Sequence, residues 1–166
     1  MTSRCARVLG LFLACVCFVR PVLHGREDVA LRVGGDVPTP LALTSSDFQK
    51  LPRTTIAMTE GDATVKYEGV ALAALLKLAG APTGGDLRGP ALAQYVVATG
   101  ADGYRVAFGI TDGDAEFTDR PVLVADRRNG EPLSALQGPL RLIASADKRP
   151  TRSVRNLASL TVKRLE

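Results

Sequence analysis

YEGVALAALLKLAGAP, residues 67–82, holds a change of backbone state. Tyr67 closes a short run from Ala63 that predicts a strand, and Gly69 predicts its break. Val70 to Ala79 follows as VALAALLKLA, apolar on nearly all sides, which predicts a buried helix. Gly80 suits a left-handed helix cap, and Pro82 prevents continuation. A strand feeding a short helix is the local pattern from which the rest is read outward.

Before this stretch, Val29 to Val33 predicts a strand closed by Gly34-Gly35, and Pro38 and Pro40 keep the next segment extended. Thr44-Ser45-Ser46-Asp47 predicts a helix N-terminus leading into Phe48, and Pro52 ends that helix early. Thr54 to Thr59 and Ala63 to Tyr67 predict two strands around the turn Glu60-Gly61-Asp62. After it, Gln94 to Thr99 and Tyr104 to Phe108 predict paired strands around GADG, residues 100–103. Thr111 to Phe117 predicts one acidic helical turn. Val122 to Ala125 predicts a continuous apolar strand, with a hairpin turn at Asn129-Gly130. Leu140 to Ala144 and Leu157 to Val162 complete the strands. Two short helices without regular βαβ alternation predict an α+β fold with mixed or antiparallel sheets.

The first 25 residues read differently. Arg4 and Arg7 precede an unbroken apolar run from Val8 to Val19, which Arg20 and Pro21 end. That pattern predicts a cleaved signal peptide over 1–25 and one domain over 26–166, in the periplasm or secreted. A lipoprotein acylated at Cys15 is the less favoured reading. All three cysteines (Cys5, Cys15, Cys17) and the lone His24 fall inside this leader. Arg4, Arg7 and Arg20 carry three of the four net positive charges, so the remainder is nearly neutral and offers no electrostatic argument for nucleic acid. From Arg26 onward, zinc sites built on Cys or His, Ser-His-Asp triads and Cys nucleophiles have no residues to use.

YEGVALAALLKLAGAP resembles a stretch of the sulfite-oxidase-type molybdopterin-binding family. ADGYRVAF (101–108), PVLVADRRNGEPL (121–133) and QGPLRLIASADKRPTRSV (137–154) are similar to its later blocks, in the same order. The resemblance spans roughly Val29 to Val162 and implies that family's fold. Its oxidoreductases hold molybdenum through a pterin dithiolene and one cysteine thiolate. The resemblance puts that cysteine near TTIAMTEGDATVKYEGV, residues 54–70, where this chain has none. Thr55, Thr59 and Glu60 offer only hard oxygen there, and Met58 a neutral thioether. Small exported members that similarly lack the cysteine bind a pterin without catalysis and signal to a membrane-bound protein controlling cyclic di-GMP. The resemblance therefore implies a pterin (a reduced pterin or molybdopterin) without molybdenum, bound by an envelope sensor or carrier.

A pterin needs an acid for its N–H edge, a cation or backbone N–H for its carbonyl and a flat group over its ring. Glu60 sits in the loop that replaces the thiolate, and also suits a solvated turn. Asp102 could bind a ligand or merely serve its turn with Gly103. Tyr67 and Tyr104 could stack on a ring or be ordinary strand aromatics. By resemblance, Gln137 and Arg141 face the cofactor, with Gln where Asn is usual and the segment one residue shorter. Arg141 equally suits an exposed strand cation. Lys148, Arg149 and Arg152 fall where the family binds the pterin's phosphate, with Arg155 extending the cluster. Asp147 and Pro150 replace glycines there, and a solvated face or docking patch is the competing reading. Asp126-Arg127-Arg128-Asn129 reads as a charged hairpin tip. Two further functions stay open: a molybdopterin-dependent oxidoreductase with altered metal ligation, and a protein-interaction module with no small ligand.

Overall fold

Alternating burial marks the strands most clearly in Gln94–Gly100, where every second residue from Gln94 is buried. The computed structural model describes residues 28–119 and 122–166. The leader reading over 1–25 lies outside the described residues. Among them are ten strands: β1 Val29–Gly35, β2 Leu41–Thr44, β3 Thr54–Glu60, β4 Ala63–Ala71, β5 Gln94–Gly100, β6 Arg105–Gly109, β7 Val122–Arg128, β8 Glu131–Pro132, β9 Arg141–Ala144 and β10 Leu157–Arg164. The α-helices are α1 Ser45–Gln49 and α2 Leu72–Leu78.

The strands form two sheets. One is ordered β2-β1-β10-β5-β6 and is mixed, because β1 runs parallel to β10. The other is ordered β3-β4-β7-β8, with β9 also paired to β7, and is antiparallel. The α+β expectation with mixed and antiparallel sheets is met. The main core joins Leu31, Val96 and Leu160 of the first sheet to Val124 and Leu142 of the second and Leu75 of α2. Leu123, Ala125 and Ile143 point to the opposite face, where they meet Ile56, Val65 and Tyr67 in a second cluster. Strands β7 and β9 therefore have apolar side chains on both faces, which explains the unbroken apolar run in VLVA. The candidate site is built over the second cluster.

The stretch at 67–82 departs from expectation at its start. Gly69 does not end the strand; β4 continues to Ala71, and α2 begins at Leu72. A Cβ at Gly69 would lie 1.9 Å from the Val124 carbonyl oxygen. Glycine is needed for close approach at a register shift between Glu68 and Gly69 against β7. The helix is also less enclosed than predicted: Leu72, Leu75 and Leu76 are buried, while Lys77 and Leu78 face outward. Its end follows the sequence. Gly80 has φ +77°, its N–H donates to Lys77 O, and Ala81 N–H donates to Leu76 O, a Schellman closure. The acidic segment at 111–117 forms hydrogen-bonded turns, not a helical turn. Asp114 is buried and uses both oxygens, accepting from Gly84 N–H and Glu116 N–H. Those local acceptors give the backbone an alternative to helix.

Candidate functional site

The β3–β4 hairpin turns at Gly61, whose φ of +62° the tight reversal requires, and carries Met58, Thr59 and Glu60 to its tip. Tyr67 lies on β4, paired with Ile56 on one side and Arg128 of β7 on the other. Arg141 opens β9 opposite Ala125. These registers aim three polar side chains at one carboxylate. Tyr67 Oη donates to Glu60 Oε1 at 2.8 Å, and Arg128 Nη2 donates to Glu60 Oε2 at 3.0 Å. Arg141 Nη1 donates to Tyr67 Oη at 2.7 Å and stands 3.7 Å from Glu60 Oε1. The same nitrogen reaches Gln137 Oε1 at 3.4 Å. The Arg141 guanidinium carbon sits 5.4 Å from the Tyr67 ring centroid.

Arg141 is the unusual member, because its side chain is only 6 % exposed. Its Nε, like Arg128 Nε, is shut from water with no acceptor. Burial alone would raise the Glu60 pKa, but hydrogen bonds from Tyr67 and Arg128 and the charges of Arg141 and Arg128 outweigh it and hold the carboxyl low. Burial, with the Glu60 bond second, pushes the Tyr67 phenol up, so it stays a donor. Beside this network lies a cleft of about 470 Å³. It is lined by the hairpin tip, by Gln137 and Arg141, and by Asp147, Lys148, Pro150 and Arg155.

Of the predicted residues, the structure brings Glu60, Tyr67, Gln137, Arg141 and Lys148 together. Glu60 is a partly buried strand end, not a solvated turn residue, and Arg141 is a buried cation, not an exposed one. Asp102 stays in its turn, where Oδ1 accepts from Tyr104 N–H at 2.9 Å. Tyr104 does not line the cleft; its hydroxyl donates to Thr151 O at 2.6 Å and braces the 3₁₀ turn Pro150–Arg152. Arg149 is exposed and outside the lining. Arg152 turns away from the cleft, with Nε and Nη2 bidentate on Asp147 at 2.7 and 2.8 Å and Nη1 on Asp112 at 3.0 Å. It also lies 5.0 Å from the Phe108 ring centroid. The bonds from Asp147 first, then Asp112, raise its pKa further. The predicted cation cluster is thus divided, since two acids and an aromatic face hold Arg152 more strongly than an open cleft could.

Arg128 was missed as a site residue, and Met58, Thr59, Asp147 and Arg155 were noted without a firm role. Arg128 was read as a hairpin tip. The signal that could have found it is the antiparallel pairing that puts it beside Tyr67.

The donor set tests what the cleft can hold. Residues 28–166 contain no Cys and no His, and no group of three His, Cys, Asp or Glu side chains among the described residues could hold a metal. Both Glu60 oxygens are engaged. The lining suits a flat polar ring with an anionic arm, because Gln137 offers an amide and Arg141, Lys148 and Arg155 offer donors. It does not suit a metal held by a thiolate.

The family model for the oxidoreductase molybdopterin binding domain matches residues 19–166. No curated protein matches the sequence. Among solved structures, the sulfane dehydrogenase SoxCD from Paracoccus pantotrophus has the same fold, with a TM-score of 0.64 and 24 % identity over 84 % of this chain. The match covers 40 % of that chain.

Proposed function

The chain belongs to the oxidoreductase molybdopterin-binding domain family, and from that premise we propose that it binds a pterin as a carrier or sensor of the cell envelope without acting as an oxidoreductase. The domain type binds molybdopterin, so the organic half of the cofactor is the natural occupant of the cleft. The observation that carries the reading is Glu60: within residues 54–70, where the family resemblance puts a thiolate, β3 ends in a carboxylate with both oxygens bonded. A bound molybdopterin would supply a dithiolene, and only its metal-loaded form would add a redox-active molybdenum. The residues here supply recognition. Gln137 would meet the ring's amide edge, and Arg141, Lys148 and Arg155 the ligand's carbonyl and an attached phosphate. The open, polar cleft favours a small ligand over a pocket filled for protein contact. Envelope location rests on the leader, and a membrane-bound protein controlling cyclic di-GMP is the partner this reading proposes. A molybdenum oxidoreductase is the second reading, because the half-buried Met58 thioether lines the cleft.

The test is the small-molecule content of the full chain purified from cells that make the cofactor. Protein is denatured and the released material oxidised, then read by fluorescence and mass. A pterin is expected, at several-fold lower occupancy in Lys148→Gln/Arg155→Gln protein. No pterin in the wild type, and no binding of added reduced pterin, would overturn the reading.

A further inference from the structure

Two guanidiniums converge on one carboxylate at the hairpin tip. Arg141 and Arg128 share one carboxylate, Glu60. Asp147 and Asp126 pair with Arg152 and Arg53, and Asp62 of the tip and Glu131 of β8, both exposed, form no ion pair with Arg128 or Arg141 among the described residues. Lys148 and Arg155 add two exposed cations to the same cleft. A buried guanidinium with one distant carboxylate oxygen and an unused Nε is short of acceptors. Glu60 supplies part of that need from within the chain.

The position of Glu60 makes this contact releasable. It is the last residue of β3, paired with Ala63 across the turn. Thr59, Gly61, Asp62, Ala63 and Thr64 around it are exposed, and a Cβ on Gly61 would meet nothing within 4 Å. The buried cluster begins farther down the hairpin, at Ile56 and Val65. Glu60 is thus the side chain through which the tip is tied to Tyr67, Arg128 and Arg141.

We propose that Glu60 is a built-in stand-in for the ligand's anionic group, and that an oxyanion of the phosphate class displaces it from Arg141, Arg128 and Tyr67 and frees the hairpin tip. This deepens the pterin reading and rests on it: the same cleft gains a way to report occupancy as movement of residues 59–62. The oxyanion could be a phosphate ester on the pterin or free phosphate. Both present the several acceptor oxygens that a guanidinium pair selects.

The test uses the full chain with inorganic phosphate and a phosphate-free reduced pterin as separate titrants, at matched ionic strength against chloride. Calorimetry gives affinity, and hydrogen exchange gives the state of the tip. Phosphate should bind Glu60→Gln about tenfold more tightly than wild type, since a competing charge-assisted contact is gone. In wild type it should raise amide exchange at 59–62 several-fold, whereas the Glu60→Gln tip should exchange fast from the outset. Tip release by phosphate alone identifies the free ion as sufficient, and release by phosphate only when pterin is also bound places the oxyanion beside the ring, where an ester would carry it. Equal or weaker phosphate binding by Glu60→Gln, no binding by either protein, or tip protection in the wild type would overturn the proposal. The wild-type exchange needs no variant, so a misfolded Glu60→Gln leaves that arm decisive. Phosphate-driven tip release in protein that never carries pterin would retire the pterin reading alone. Bound pterin with an unmoved tip would retire this one alone.

Discussion

Glu60 sets how the site responds to acid. Its carboxyl is held low in the folded chain, so its contribution to stability is complete above the unfolded pKa, about 4.3, and is lost as pH falls through the folded value. The stability difference between wild type and Glu60→Gln should therefore be flat at neutral pH and shrink below about pH 4. Urea melts across that range check it; a difference constant down to about pH 2.5 would contradict it. Arg152 makes the opposite kind of prediction. Arg152→Met removes three charge-assisted contacts at a half-exposed position and should cost about 1–2 kcal/mol by urea denaturation. Pterin content should not change, because Arg152 faces away from the cleft. The sequence grouped Arg152 with Lys148 through proximity along the chain. Asp112, forty residues away, pulls it to the other side.

At the scale of elements, local chemistry that closes on itself was readable in advance. Asn129-Gly130 adopts φ values of +52° and +83° and turns β7 into β8 as its residue types demand. Thr44 forms a capping box with Asp47, so Thr44→Ala should lower stability by about 1 kcal/mol in thermal or urea melts. Gly69 was misread because glycine inside a strand marks either a break or a close approach, and the choice here belongs to β7, more than fifty residues downstream. Gly69→Ala should cost at least about 2 kcal/mol, because the new Cβ collides with a backbone carbonyl that cannot move without breaking the β4–β7 ladder. A melt unchanged by that substitution would show that the strand does not run through residue 69.

Across the whole molecule, sheet class and strand positions were legible from alternation and continuous apolar runs. Strand order was not: the parallel β1–β10 pair joins segments more than a hundred residues apart, and no local pattern specifies it. The site divided in the same way. Glu60, Tyr67, Gln137, Arg141 and Lys148, singled out by residue type and resemblance, lie together in the structure. Arg128 was hidden because the register shift at Glu68–Gly69 resets which β7 side chains face β4. SoxCD at 24 % identity establishes the fold alone, so the chemistry must be read from the cleft's own residues. Those residues offer an amide, cationic donors and no thiolate. The most direct measurement is the molar ratio of molybdenum to pterin in one preparation of the full chain from cofactor-producing cells. The account predicts pterin on a substantial fraction of chains with molybdenum near background. One molybdenum per pterin would contradict it.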